Sequence, residues 1–344
     1  MFKISNILVL SITVLCVSNC SLPDEVPVSN QNIEDFEVVW ESVNSVYPYL
    51  DFKQIDWGQI YNTYRPQAEK AVGDEIFDVL SGMLHELKDG HVYLTTAGGY
   101  KMKPYIPVRS LKNRYAYSPL VVHKYFNNGI HITGPWELEY GITDSNVGYI
   151  YISSFGSHID FVNDLNAALE YTRDTKGLII DVRHNIGGDG KNTHVVVSKF
   201  LLNPLKSLDT YVLGELQDET YIQPDEDYQY FNHVIVLING VCFSATESFA
   251  ELMKQVPTVT VVGDTTGGGS AGFYGYEPPA SGNFQLPSGK MIHIGTMDIR
   301  RYDDLPFEWI GISPDIQVSQ TEADINNGRD KQLEYAIEFI ENLK

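Results

Sequence analysis

The stretch HVIVLINGVCFSATESFAELMKQVPTVTVVGDTTGGGS, residues 233–270, decides the fold class of this 344-residue chain. Its apolar run Val234–Ile238 has the length of a buried parallel strand. After a turn, apolar residues recur at helical spacing until Pro257, where a helix cannot continue. A second apolar run, 259–262, then leads into a glycine-rich loop. Strand, turn, helix and strand in this order predict an α/β fold built on a parallel sheet.

Ser244, at the predicted start of this helix, allows two interpretations. Ser244 and Glu247 form the S-x-x-E pattern of a capping box, in which the serine hydroxyl only satisfies a helix amide. The same hydroxyl would lie at the positive end of a helix, above the carboxyl edge of a sheet, where α/β folds place their chemistry. A catalytic interpretation therefore needs a base and an oxyanion site from elsewhere. Ser270 matches G-x-S-x-G, but the residues after it cannot start a helix, so we interpret it as a loop residue.

Composition and charge exclude some classes of function. The chain is 43% hydrophobic and long enough to bury a large core in two or more domains. Its 24 Lys and Arg residues against 45 Asp and Glu residues give a formal charge of −21, which argues against nucleic-acid binding. The nine histidines show no H-E-x-x-H spacing, and we expect neither a metal nor a cofactor.

The N-terminus has the pattern of an export signal. Residues 1–20 combine Lys3 with a short apolar run and end at Cys20, which follows small residues as in a bacterial lipoprotein signal. The alternative is a plain secretory peptide cleaved near Asn19. We expect an exported protein that is lipid-anchored at Cys20 to a bacterial membrane, with residues 21–31 as a flexible tether. Cys242 would then be alone and would pack as a small hydrophobe, although a catalytic thiol is conceivable.

Three regions follow the tether. Residues 32–90 carry apolar side chains at helical spacing and predict an N-terminal helical domain. Residues 91–145 look β-rich without a helical pattern, as in a small cap or insert, and residues 146–344 form the α/β core. Within the core, the strand 177–182 ends in a glycine-rich turn that aims backbone amides at an anion. Because the nucleotide-binding patterns fail at this turn, an oxyanion hole suits it better.

Five separated motifs now point to one family. They are LKDGH at 87–91, DVRHNIGG at 181–188, FSATE at 243–247, VGDTTGG at 262–268 and GISPDI at 311–316. In this order they resemble the C-terminal processing and tricorn-core serine peptidases over residues 32–344. The resemblance implies an α/β fold with a ClpP/crotonase-like core of ββα repeats, an N-terminal helical domain and a small β-rich insert.

The family has two catalytic solutions, and the resemblance selects one of them. A serine–lysine dyad would place its lysine at Gly269, and no lysine lies between Lys254 and Lys290. The tricorn-like solution uses serine, histidine and glutamate. The residues that match it here are Ser244 as nucleophile, His91 as base and Glu308 as the carboxylate that orients the histidine. Gly90 stands where the tricorn pattern has a serine, which puts one supporting hydrogen bond in doubt.

The implied chemistry is peptide hydrolysis through an acyl-enzyme. The amides of Ala245 and of Gly187 or Gly188 would hold the oxyanion. Peptides or unfolded proteins would be the substrates, without nucleic acid. Two alternatives stay open: a catalytically inactive lipoprotein that binds peptides or small ligands on the same fold, and an esterase or amidase of non-peptide substrates.

Overall fold

The computed structural model describes residues 30–96, 98–133, 138–156 and 160–343. In chain order, the helices α1 to α10 of these residues are Asn30–Val46, Trp57–Ala68, Glu75–His85, Val108–Asn113, Pro119–Val122, Phe161–Tyr171, Gly190–Ser198, Ala245–Met253, Glu322–Asn326 and Lys331–Glu341. A 3-10 turn, His123–Tyr125, follows α5. None of these helices is both long and apolar enough to cross a membrane.

The strands of the described residues form one large and three small sheets. In chain order, β1 to β16 are Tyr93–Thr96, Gly99–Met102, His131–Thr133, Leu138–Ile142, Gly148–Ile152, Leu178–Asp181, Leu205–Lys206, Asp209–Val212, Glu215–Leu216, Tyr221–Ile222, Val234–Ile238, Val259–Gly263, Asn283–Gln285, Met291–His293, Met297–Arg300 and Ile316–Gln317. The large sheet has the order β16-β12-β11-β6-β5-β4-β3.

The five strands from β16 to β5 are parallel, which confirms the predicted parallel core. Every side chain of β5, β6 and β11 is buried, as expected where helices cover both faces of a parallel sheet. Val236 pairs with Ile180 on one side and Val261 on the other, so β6, β11 and β12 end at the same edge. The glycine-rich turn, the turn before α8 and the loop after β12 therefore meet there.

The N-terminal helices are packed against a smaller sheet. The helices α1 to α3 share an apolar core with the four-stranded sheet of order β13-β14-β1-β2. That core includes Phe36, Leu80, Leu94 and Ile292, all inaccessible to solvent. The helical region predicted for residues 32–90 is thus confirmed, and part of its packing partner comes from the far end of the chain.

The region 91–145 contains the strands β1 to β4, as its β-rich sequence predicts, and also short helices that the sequence does not show. It contains the short helices α4 and α5, and its last strands, β3 and β4, extend the large sheet in antiparallel fashion. Helices of four to six residues are too short to show a helical period in the sequence, because that signal needs about 11 residues or more. The large sheet of the α/β core is therefore extended by strands that precede residue 146.

Candidate active site

Ser244 begins helix α8 in a strained backbone conformation. Its φ of 58° and ψ of −127° lie in a region that side chains other than glycine rarely adopt. Its amide donates to Oε2 of Glu247 at 3.0 Å, so Glu247 satisfies the helix end. Ser244 and Glu247 thus form the capping box that their spacing predicts. The Ser244 hydroxyl also lies 3.0 Å from Nε2 of His91, so the same residue begins the helix and faces an imidazole.

His91 lies in the loop between α3 and β1, and an aromatic ring holds it in place. The Phe243 ring stacks on the imidazole with centroids 4.8 Å apart and planes at 22°. Nδ1 is buried and has no hydrogen-bond partner among the described residues. Oδ1 of Asp89 is 3.7 Å from Nδ1 and accepts a hydrogen bond from the His91 amide at 2.7 Å. A carboxylate therefore stands beside Nδ1, although the distance is too long for a hydrogen bond.

Glu308 is buried nearby but has other partners. Its Oε1 is 2.7 Å from Nζ of Lys53, and its Oε2 accepts a hydrogen bond from the Ser270 amide at 3.0 Å. The structure does not bring Glu308 into a hydrogen bond with His91, which corrects the contact implied by the resemblance. The reason is local: the ammonium and the amide already hold both carboxylate oxygens, and Asp89 occupies the position next to the imidazole.

The surroundings of Asp89 and Glu308 shift the pKa values of the two carboxyl groups in opposite directions. Burial alone would raise the pKa of Asp89, but Lys53, together with His91 and the Tyr47 hydroxyl, holds that pKa well below its usual range. Burial, and then repulsion by Asp89, raise the pKa of Glu308 to about 8 against the effect of Lys53. Asp89 is therefore the ionised member of the pair at neutral pH.

Phe243 also explains two departures from the family patterns. A Cβ atom at Gly90 would come within 2.6 Å of its ring, so the serine of the tricorn pattern would collide there. A Cβ atom at Gly269, the position of the dyad lysine, would come within 2.0 Å of the same ring. The Phe243 ring thus fills the space that a lysine side chain at position 269 would need.

The three amides predicted for the oxyanion hole are not equivalent. The Gly187 amide donates to Oδ1 of Asn185 at 2.8 Å and is therefore occupied, which corrects its predicted role. Among the described residues, no group accepts a hydrogen bond from the amide of Gly188 or Ala245. Both residues line the cavity that contains the Ser244 hydroxyl. A Cβ atom at Gly187 would lie 2.8 Å from Cβ of Ser244, so this position requires glycine for packing instead.

Two other candidate nucleophiles are engaged elsewhere. The Ser270 hydroxyl lies 2.8 Å from the Tyr49 hydroxyl and accepts a hydrogen bond from the Glu308 amide, in a segment that is neither strand nor helix. The Cys242 thiol is buried, donates to the Val182 carbonyl, and has its pKa raised by burial. Cys20 lies outside the described residues, and no cluster of metal-binding side chains occurs within them.

An open cavity of about 1210 Å³ gives access to Ser244. Its lining includes Tyr105, Ile106, Thr210 and the segment 217–220. This volume exceeds the usual range for small-molecule pockets, about 300–1,000 Å³. The cavity is therefore large enough for an extended peptide.

Family comparison agrees with this geometry. Residues 146–318 match the model of peptidase family S41, and residues 30–85 match that of the tricorn protease C1 domain. The first match alone spans just over half of the chain. The chain belongs to peptidase family S41.

Solved structures with the same fold span a range of identities. A candidate peptidase from Parabacteroides merdae is 29% identical with a TM-score of 0.76, over 90% of this chain and 96% of that chain. Mature CPAF is 13% identical with a TM-score of 0.66, over 91% and 97%. The photosystem II D1 C-terminal processing protease is 14% identical with a TM-score of 0.53, over 85% and 94%. The last two show the fold alone, and together with the family match they confirm the fold class predicted from the motifs.

Sequence reasoning missed three residues of this site: Lys53, Asp89 and Phe243. Asp89 and Phe243 lie inside quoted motifs, but no role followed from their spacing. A buried lysine in a turn between two helices carries no sequence signal of its own.

Proposed function

We propose that this protein is a serine endopeptidase that hydrolyses peptide bonds through an acyl-enzyme, with Ser244 as nucleophile and His91 as base. The observation that carries this proposal is the 3.0 Å contact between the Ser244 hydroxyl and Nε2 of His91, made across 153 residues of sequence and opening into a large cavity. A serine hydroxyl is a weak nucleophile, and an imidazole within hydrogen-bond reach is what activates it.

The proposed reaction proceeds in two halves. Nε2 of His91 takes the proton of Ser244 as its Oγ attacks the scissile carbonyl, and the amides of Gly188 and Ala245 donate to the oxyanion. The imidazolium then gives its proton to the leaving amine, which leaves the acyl group on Oγ. Water, deprotonated by His91, attacks the ester and releases the new carboxylate. Asp89 is the carboxylate placed to stabilise the imidazolium, with Glu308 behind it.

Active-site labelling tests this assignment directly. The full-length protein is treated with a fluorophosphonate, and the adduct is mapped by mass spectrometry. We expect an adduct on Ser244 that Ser244→Ala and His91→Ala each abolish. Ser248→Ala is the matched control, because Ser248 lies one helical turn further along α8 and lines the same cavity. An adduct on Ser270 would contradict the choice of nucleophile.

Turnover separates the remaining candidates. An esterase or amidase would hydrolyse small esters or amides but leave peptides intact, whereas an endopeptidase would cut internal bonds of an unfolded protein. A folded protein that neither reacts nor cleaves would support the inactive, ligand-binding alternative. The contact between Ser244 and His91, together with the amides of Gly188 and Ala245 in the same cavity, supports the endopeptidase over that alternative.

The proposal also includes export and a lipid anchor at Cys20. The support is the order of Lys3, the apolar run and Cys20 in the sequence. Mass spectrometry of the mature N-terminus from a bacterial membrane fraction tests it. A diacylated Cys20 is the expected result, and an unmodified N-terminus near residue 20 would instead indicate a plain secretory peptide.

A further inference from the structure

A buried ammonium group lies behind the active site. Lys53 belongs to the turn between α1 and α2, and its side chain is fully inaccessible to solvent. It lies 2.7 Å from Oε1 of Glu308 and 3.5 Å from Oδ2 of Asp89, and both of these side chains are at most 1% exposed. One cation from the N-terminal helical region therefore contacts two carboxylates of the catalytic region.

The hydrogen bonds of Lys53 use its full donor capacity. Nζ donates to the Tyr47 hydroxyl at 2.7 Å and to the Leu87 carbonyl at 2.9 Å, and the Glu308 carboxylate takes the third direction. Burying ionised groups costs several kcal/mol per ion before their attraction offsets it, and apolar side chains of similar volume often do as well. Stability alone therefore gives little reason for this cluster.

A short chain of contacts connects Lys53 to His91. The Tyr47 hydroxyl accepts from Lys53 and donates to Oδ2 of Asp89 at 2.6 Å. The other oxygen of Asp89 accepts the His91 amide and is the one 3.7 Å from Nδ1. Both oxygens of Asp89 are thereby fixed in orientation, one by the helical region and one by the loop of the histidine.

We propose that Lys53 is a positioning residue for the proposed base, holding Asp89 ionised and oriented beside His91 while it draws Glu308 away to the Ser270 amide. This inference rests on the proposed function. Asp89 is the ionised carboxylate of the pair, so its negative charge faces the imidazolium that forms during proton transfer. The N-terminal helical region is then a working part of the active site.

The other titratable groups around the cluster do not compete for this role. Tyr47 and Tyr49 pack around Lys53, and burial, followed by the nearby carboxylates, raises the pKa of both phenols above their usual range. Both stay neutral through the pH range of the reaction. The indole of Trp309 covers the ammonium at 4.9 Å and adds a favourable cation–π contact.

The test compares fluorophosphonate labelling rates of the full-length protein as a function of pH. The variants are Lys53→Met, Asp89→Asn and the double variant. Lys70→Met is the matched control, an exposed lysine of the same helical region. We expect Lys53→Met and Asp89→Asn each to lower the rate about 10-fold or more, and the double variant to be within about 3-fold of the slower single variant, because residues that act through one another are not additive.

The pH profile separates positioning from a general structural effect. Loss of an ionised carboxylate beside an imidazole disfavours the imidazolium. Asp89→Asn therefore shifts the acidic limb of the profile of labelling rate against pH to lower pH. If Lys53 keeps Asp89 ionised, Lys53→Met shifts the limb in the same direction. A shift to higher pH, or no shift, in a folded Lys53→Met protein would overturn the inference.

Tyr47→Phe keeps the test decisive if Lys53→Met does not fold. It removes only the hydroxyl between Lys53 and Asp89, and we expect about a 3- to 10-fold lower labelling rate, the scale of the net loss of one ordinary hydrogen bond. An unchanged rate in Tyr47→Phe, or a Lys53→Met rate equal to that of Lys70→Met, contradicts the role of Lys53. If the unaltered protein is not labelled at Ser244, the proposed function fails first and the inference with it.

Discussion

Ser244 and His91, the proposed nucleophile and base, lie 3.0 Å apart, yet different parts of the chain hold them in place. Ser244 is positioned by neighbours in sequence: strand β11 before it, helix α8 after it, and the Glu247 carboxylate, which accepts hydrogen bonds from the amides of Ser244, Gly268 and Gly269. His91 is positioned by Asp89, two residues before it, and by Phe243 and Lys53, which come from distant parts of the chain.

This difference predicts how each half responds to change. Substitutions near Ser244 should act through the conformation of the turn between β11 and α8, because that turn sets the position of the hydroxyl. The base depends on the docking of the helical region, so a change far from Ser244 in sequence can remove activity and leave the nucleophile turn intact. The predictions below separate the two halves, beginning with the largest effect.

The largest effect is expected from loss of the nucleophile or the base. Ser244→Ala and His91→Ala should each lower kcat for an unfolded protein substrate by roughly 10⁴- to 10⁶-fold, because the two act as a unit. Ser248→Ala should stay close to the unaltered enzyme. A double variant much slower than either single variant would show that the two side chains work independently, contrary to the proposed mechanism.

The two carboxylates near the base should differ in their importance. Asp89→Asn is expected to lower kcat by about 10²- to 10⁴-fold, the scale seen when a carboxylate that stabilises an imidazolium is neutralised. Glu308→Gln keeps the shape of the side chain and should cost about 10-fold, because Glu308 contacts Lys53 rather than His91. A larger loss of kcat in Glu308→Gln than in Asp89→Asn would indicate that Glu308 is the carboxylate that acts on the histidine.

The ring of Phe243 should prevent conversion to the other catalytic solution. Gly269→Ala is expected to destabilise the protein by about 1–3 kcal/mol, the usual cost of overpacking, and to displace the ring from His91. Gly190→Ala is the control, since a Cβ atom there meets nothing within 4 Å. The Phe243→Ala, Gly269→Ala double variant should recover stability but not activity in thermal melts and peptide assays. Recovery of activity would mean that the ring is not needed to hold the imidazole.

The last prediction concerns how the free energy of unfolding depends on pH. The folded-state pKa of Glu308 is raised from 4.5 to about 8, so its contribution to stability is present below pH 4.5 and is lost as the pH rises to about 8. Asp89, with a lowered pKa, contributes in the opposite sense, and its contribution is lost only as the pH falls below the usual aspartate range. Denaturant melts should therefore show Glu308→Gln gaining roughly 1 kcal/mol per pH unit over the unaltered protein between pH 5 and 8. A difference in the free energy of unfolding that stays constant across this pH range would show that Glu308 does not titrate within it.

Much of the fold and half of the site were predictable from sequence. The parallel strands, helix α8 and the N-terminal helices follow from apolar periodicity, and the structure has them. The glycines of the loop 183–190 indicated an anion site, but spacing could not show that the Gly187 amide is occupied by Asn185. Within residues 91–145, the helices α4 and α5 gave no signal because they are shorter than the window in which a helical period appears.

The carboxylate beside His91 shows why the rest could not be predicted. Asp89 and Glu308 both carried motif signals, and a list of residue types cannot say which one meets the imidazole. The answer depends on where Lys53 lies, because its ammonium group holds Glu308 at 2.7 Å and the Ser270 amide takes the other oxygen.

By itself the sequence determined a strand–turn–helix unit that presents Ser244 at a helix N-terminus, together with the order of motifs that identifies the family. These properties are local, since they depend on the period of apolar residues and on the conformations that glycine and proline allow. The tertiary structure alone decided which carboxylate lies beside the histidine and which amides face that serine. The physical reason is that charge and hydrogen-bond partners are selected by distances of a few ångströms between segments far apart in the chain, and packing of the whole fold sets those distances.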